Sequence, residues 1–273
     1  MVHLSLDSTI KLPSGNLIPR LGFGVYQARS KECEQAVMKA AEAGYRHVDS
    51  AQGYHNEDPE EVLQVLRKSI KKIDRSGEGE PYIDLMLIHA PWGGDEGRRN
   101  NWEALGLAQK EGWVKDIGVS NFGVAHLKSL PGPLPAVNQI ELHPFCQQRD
   151  IVEYCQEKGI AIEAYSPLMR GEERYWNHPV LVKISKKHKK DVAQIAIRWS
   201  LQKGYVGVLS SCDRACLPYT ASFIPLPKSV TPARIQSNAD VFDFELSSEE
   251  MVEIDGLDKG TEGAITWNPV NHE

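Results

Sequence analysis

No stretch of this chain reaches the roughly 18 consecutive apolar residues of a membrane span, so no membrane role is expected. A basic face is missing as well. The 31 Lys and Arg are outnumbered by 37 Asp and Glu, for a net charge of −6, which argues against a general nucleic-acid binder. The opening residues, MVHLSLDSTI, have no basic region followed by a long apolar core, so no secretory leader is expected. Cysteine is sparse. Cys33, Cys146, Cys155, Cys212 and Cys216 are scattered and odd in number, which fits free thiols in a reducing, cytoplasmic compartment. The Cys212/Cys216 spacing has no matching His/Cys pair nearby, so no metal site is expected. Nor is there a Gly-rich fingerprint: SGNLIPRLGFG does not set GxGxxG between a strand and a helix, which disfavours an open doubly wound dinucleotide sheet.

What is present is alternation. RLGFGVYQ reads as extended. SKECEQAVMKAAEAG sets Cys33, Val37, Ala40 and Ala41 on one helical stripe that ends at Gly44. YRHVDSA is a short strand, and PEEVLQVLRKSIKKI is a helix with Pro59 near its start. IDLMLIHAP is the near-continuous apolar run of a parallel strand buried on both faces. Helix NWEALGLAQKEG, strand KDIGVSNF, helix VAHLKSL, strand AVNQIELHP, helix RDIVEYCQEKG and strand IAIEAYSPL follow. A long helical region comes next, and TPARIQSNADVF and SSEEMVEIDGL read as helices with a Thr or Ser cap. This repetition predicts an α/β fold with a parallel sheet. Polar residues gather just after the strands: His89, Ser120 with Asn121, Glu141 with His143, and Tyr165 with Ser166. That placement predicts a TIM-type (β/α)8 barrel with its site at the C-terminal face of the strands, in a single domain over residues 1–273.

Several of these residues bear chemistry, each with a plainer reading beside it. Asp49 and Tyr54 suit a proton-transfer pair, or a helix cap and a loop aromatic. A tyrosine hydroxyl has a reference pKa near 10, which a neighbouring cation would lower. His89 suits a hydrogen-bond donor to a substrate oxygen, or a structural partner. Asn121 and Gln139 offer amide donors and acceptors to a carboxamide, or brace loops. Lys228, Ser229, Arg234 and Asn238 surround a helix start that suits a phosphate, or form a solvated basic end. Tyr165 suits stacking on a flat heterocycle, or the core.

The segments IPRLGFGVYQ, GYRHVDSAQGYHNE, YIDLMLIHAP, GVSNF, VNQIELHP, AYSPL and PLPKSVTPARIQSNADVFDFELS occur in this order across nearly the whole chain. In sequence and order they resemble the aldo-keto reductase superfamily, NADPH-dependent (β/α)8 barrels that reduce aldehydes and ketones. The resemblance implies Tyr54 as proton donor, His89 as the residue that orients the carbonyl, and Asp49 as support for the tyrosine's charged partner. It implies that Gly24, Ser120, Asn121, Gln139, Tyr165, Ser166, Leu168, Lys228, Ser229, Arg234 and Asn238 hold NADP(H). Ser120, Asn121 and Gln139 would take the nicotinamide carboxamide, and Lys228, Ser229 and Arg234 the 2′-phosphate. Tyr26 and Trp92, with Trp267, would line the substrate pocket; Ala90 stands where the family commonly has a bulky aromatic. The substrate would be a small carbonyl compound, with no metal, and the protein a monomer.

Two departures stand out. The family's catalytic lysine, on a strand of the form VTSKL after the Asp/Tyr segment, is absent. YHNE runs straight into the next helix, where Lys68, Lys71 and Lys72 fall opposite the stripe of Val62, Leu63, Leu66, Ile70 and Ile73. The barrel is therefore predicted to be incomplete, missing one helix–strand unit after Tyr54, and its activity impaired. The second departure is residues 207–224, a patternless insertion before the phosphate-binding segment. Two alternatives remain: a non-catalytic NADPH-binding protein, or a mis-assembled gene model with one coding segment skipped and one non-coding segment retained.

Overall fold

A computed structural model describes residues 4–28, 30–50, 82–203 and 223–272. Tyr54, the helix expected after it and the polar link to the next strand lie outside the described residues, as do Cys212 and Cys216.

The chain opens with an antiparallel hairpin, β1 (Thr9–Lys11) and β2 (Leu17–Pro19), turned at Gly15 with φ 96°. Leu12 and Ile18 of this hairpin pack with Val137, Ala161 and Ile224, at the starts of barrel strands, and so close the N-terminal end of the barrel. β3 (Phe23–Gly24) follows, then α1 (Ser30–Glu42) and β4 (Val48–Asp49), which pairs parallel with β3. α1 buries Ala36 and Ala40 and ends at Gly44, φ 95°, but the predicted stripe shifts by a residue, because Ala41 is exposed.

The main sheet runs β5 (Ile83–Ile88), β6 (Val114–Ser120), β7 (Val137–Glu141), β8 (Ala161–Tyr165) and β9 (Phe223–Pro225), all parallel. β9 continues to β3: the Gly22 and Gly24 N–H groups donate to the Pro225 and Pro227 carbonyls at 3.1 Å, and Gly24 bridges to Lys228. Seven strands thus curl in the order β4-β3-β9-β8-β7-β6-β5. Among the described residues β4 and β5 do not pair with each other. The predicted insertion is also too long by two residues. Phe223 and Ile224 are apolar, fully buried and part of β9, with Phe223 packed edge-on to Trp199.

Helices α2 (Gly94–Lys110), α3 (Val124–Ser129) and α4 (Arg149–Lys158) alternate with the strands. A short 3-10 turn and α5 (Glu173–Trp176) lead to α6 (Pro179–His188) and α7 (Val192–Lys203), which are one helical region in the sequence. Lys189 at φ 56° breaks it, with Gln194 and Asp191 exchanging backbone-to-side-chain bonds across the new start. α8 (Pro232–Ala239) and α9 (Ser248–Asp255) complete the outer layer. The Ser cap of α9 forms a capping box, Ser247 with Glu250. The expected Thr cap of α8 does not form: Thr231 makes no side-chain capping bond, and its N–H donates to the Ser229 hydroxyl at 3.1 Å.

Candidate active site

The polar residues after the strands do gather at one end of the barrel. β6 ends at Ser120, and Asn121 follows at φ 64°, a left-handed position that asparagine tolerates better than most residues. Asn121 Nδ2 donates to the His89 carbonyl (3.1 Å) and to the Ser120 hydroxyl (3.0 Å). Ser120 in turn donates to the Gln139 carbonyl, 3.0 Å. The Tyr165 hydroxyl donates to Asn121 Oδ1 at 2.9 Å and lies 3.1 Å from the Thr266 hydroxyl. Ser120, Asn121, Gln139 and Tyr165 therefore form one connected shelf. Ser166 (φ 52°) and Leu168 continue it into a tight turn with Met169 and Arg170 also at positive φ.

Gln139 is placed less simply than expected. Its Nε2 donates to Asp49 Oδ1 (3.0 Å) and to Glu163 Oε2 (2.7 Å). Both amide protons are thus spent between two carboxylates, and the amide oxygen remains as the group that accepts from a carboxamide. Glu163, only 1% exposed, also has His47 Nε2 at 3.3 Å from Oε1. Burial raises the Asp49 pKa and Glu163 adds to that, outweighing the Gln139 bond and His47. Burial would lower His47, but Glu163 and Asp49 overcome it and hold the imidazole above its ordinary value. Glu163 and His47 went unmarked in the sequence, although a readable signal existed. Glu163 interrupts the apolar strand AIEAY two residues before Tyr165, and His47 sits two before Asp49, so by alternation Glu163 shares a strand face with Tyr165 and His47 one with Asp49.

His89 follows β5, where burial lowers its pKa, so it is a neutral imidazole near pH 7 that donates through one N–H. Trp267 stacks on it, with centroids 6.4 Å apart at 12°, and Trp92 meets Trp267 at 4.9 Å. Glu141 holds that C-terminal segment. Fully buried, it accepts from the Ile265 N–H (2.7 Å), the Thr266 N–H (3.1 Å), the Thr266 hydroxyl and His143 Nε2 (3.0 Å). Burial alone would raise this carboxyl, but those bonds outweigh it and hold it below the usual range. Tyr26 is 66% exposed, with the Arg170 guanidinium 5.5 Å from its ring.

At the phosphate end, Lys228 and Arg234 are exposed and make no ion pair among the described residues. Ser229 and Asn238 are buried beside them. The β3–Lys228 bridge sets Gly24 against this segment; a Cβ there would meet the Leu226 carbonyl at 3.3 Å. Two free cations at a helix start, a shelf of amides and hydroxyls, and a tyrosine after a strand make a donor set suited to a phosphorylated dinucleotide.

A cavity of about 690 Å³ opens along β5, reaching from Asp49, Glu163 and His89 at one end to Asn16, Lys115 and Asp116 at the other. Lys115 is no partner for Asp49. It is bound to Asp84 at 3.2 Å and sits five residues before Ser120 on β6, roughly 16 Å along a strand. Arg46 donates to the Ala41 and Tyr45 carbonyls.

The aldo/keto reductase family model matches residues 64–259, more than half of the chain. The chain belongs to the aldo/keto reductase family. An uncharacterised oxidoreductase of Schizosaccharomyces pombe is 39% identical, covering 97% of this chain and 98% of its own. The glyoxal reductase of Bacillus subtilis is 36% identical, over 93% and 94%. An aldo/keto reductase from Brucella melitensis superposes with a TM-score of 0.79 at 35% identity, over 92% of this chain and all of its own. A Gox0644 variant solved in complex with NADPH gives 0.83 at 31% identity, over 98% and 99%. Family and barrel-type fold agree with the sequence expectation, and so does an NADP(H)-linked oxidoreductase. The Schizosaccharomyces pombe alignment runs over 294 positions against 273 residues here, so at least 21 positions of that relative (294 − 273) have no counterpart in this chain.

Proposed function

We propose that this chain is a cytoplasmic, monomeric, single-domain NADP(H)-dependent reductase of small aldehydes or ketones whose proton transfer is impaired. When bound, the cofactor supplies the hydride. Ser120, Asn121 and Gln139 hold the nicotinamide amide and Tyr165 covers the ring; Ser166 and Leu168 follow the pyrophosphate. Lys228, Ser229 and Arg234 grip the 2′-phosphate, and Asn238 contacts the adenine. Gly24 lets the backbone approach. His89 donates to the carbonyl oxygen as charge builds there. Trp92 and Trp267 give the pocket an aromatic wall, with Tyr26 at its edge. Tyr54 supplies the proton, a role that rests on the sequence alone.

The observation that carries the impairment is the surroundings of Asp49. Its side chain accepts from Gln139 and feels the charges of Glu163 and His47, and it pairs with no lysine or arginine among the described residues. Without such a cation a phenol keeps a pKa near 10 and gives up its proton reluctantly. Well-placed acid catalysis is worth about 10²–10⁴-fold, and that is the expected deficit. The relatives named as glyoxal and methylglyoxal reductases make small dicarbonyls sensible test substrates. Two assays test the reading together. NADPH fluorescence titration should show saturable binding, while NADPH oxidation with methylglyoxal or nitrobenzaldehyde should be slow. Absence of binding would sink the cofactor reading; turnover at an ordinary reductase's rate would sink the impairment. Binding with no turnover at all would favour the non-catalytic alternative. The at least 21 unmatched positions against the Schizosaccharomyces pombe relative also keep the gene-model alternative in view, which sequencing the transcript decides.

A further inference from the structure

We propose that the cavity along β5 is a binding site for a primary alkylammonium ion, with its head between Asp49 and Glu163 and its chain along Leu85 and Leu87. Glu163 lines this cavity while its side chain is 1% exposed, and its Oε1 has no well-aligned hydrogen bond; His47 Nε2 stands 3.3 Å away at a weak angle. Asp49 also lines the cavity, and its Oδ2 accepts nothing among the described residues. The two carboxylates share one amide group, Gln139 Nε2, and one imidazole. Buried carboxylates held this way are undercompensated, and a cation arriving from solution removes that penalty.

The shape of the acceptor set says which cation. Among the described residues no three His, Cys, Asp or Glu are grouped to hold a metal ion, and a hard divalent ion wants six or more oxygens. An –NH₃⁺ head donates three hydrogen bonds; Asp49 and Glu163 take two, and the third is left to solvent in the open cavity. Leu85 and Leu87 line the same cavity and belong to the apolar cluster at the closed end of the barrel. They give a short alkyl tail an apolar wall, which a bare ammonium or a metal would not use. Space is ample: about 690 Å³ lies within the range of small-molecule pockets, so a four-carbon amine fits without disturbing side-chain packing. The site stands on the acid pair and the cavity, whether or not the chain turns over a carbonyl compound.

The test uses the full chain and n-butylammonium chloride, with tetramethylammonium chloride and n-butanol as controls at equal ionic strength. Calorimetric titration and thermal unfolding are read together. Butylammonium should bind saturably and raise the melting temperature, and neither control should. Glu163→Gln and Asp49→Asn should each weaken binding at least tenfold, and the second keeps the test alive should the first fail to fold. Equal behaviour of butylammonium and tetramethylammonium would overturn the proposal, as would undiminished binding in a folded Glu163→Gln or Asp49→Asn variant.

Discussion

β7 and β5 are both short strands, VNQIE and IDLMLI, and by composition β5 is the more apolar. β7 is buried at all five positions, polar residues included, whereas not one residue of β5 is fully buried. The difference lies in their neighbours. β7 has β6 and β8 on its flanks, helices outside and the hairpin beneath. β5 has β6 on one side and, among the described residues, a cavity on the other. A strand's burial is a property of the sheet around it: with a cavity rather than a described strand on one flank, both the packing of β5 and the surroundings of the residues on that side differ from those of β7.

The largest expected effect separates the two sides by stability. Ile140→Ala on β7 removes a fully buried side chain and should cost about 4 kcal/mol in chemical denaturation, while Leu85→Ala on β5 should cost about 1 kcal/mol. Equal costs would mean that β5 is packed as tightly as β7. Next comes the charge on the closed side. Glu141→Gln leaves His143 and the tail's donors short of a carboxylate, and should cost about 3 kcal/mol by the same denaturation assay. At the cofactor end, Lys228→Ala and Arg234→Ala should each weaken NADPH about tenfold or more, by about 1.5–3 kcal/mol per charged hydrogen bond, with NADH affinity nearly unchanged in fluorescence titration.

The smallest effect contrasts two carboxylates by sign. Glu141 is held below its ordinary 4.5. Its contribution to stability is therefore complete above that value and is lost as pH falls through the folded one. Asp49 is raised above its ordinary 3.8, so it costs stability at neutral pH, and that cost fades as pH drops through the folded value. Asp49→Asn should stabilise the protein at pH 7, and Glu141→Gln should flatten the acid limb. Denaturation midpoints across pH 3–8 would show both; a destabilised Asp49→Asn at pH 7 would contradict the sign.

Much of this molecule can be read from local pattern. Strand–helix alternation gives the parallel barrel, and a polar residue closes four neighbouring strands at the same end: His89 one step beyond Ile88, Ser120, Glu141 and Tyr165. The absence of a lysine segment is read from the sequence alone, since residues 51–81 between β4 and β5 lie outside the described residues. What pattern did not reveal depends on contacts between distant segments. The two protons of Gln139 go to Asp49 and Glu163, residues 90 and 24 positions away. The Glu141–Thr266 latch joins positions 125 apart. The kink at Lys189 reflects a single left-handed residue inside a helical periodicity that runs on through it.

The most direct measurement is the pH dependence of kcat for NADPH-dependent reduction of nitrobenzaldehyde. On the proposed reading, in which no cation acidifies the Tyr54 phenol, the rate should stay level through neutral pH and fall only near pH 10, the ordinary tyrosine value. A break between pH 6 and 8.5, abolished by Tyr54→Phe, would show a phenol acidified by a cation and contradict the claim that Asp49 stands without one.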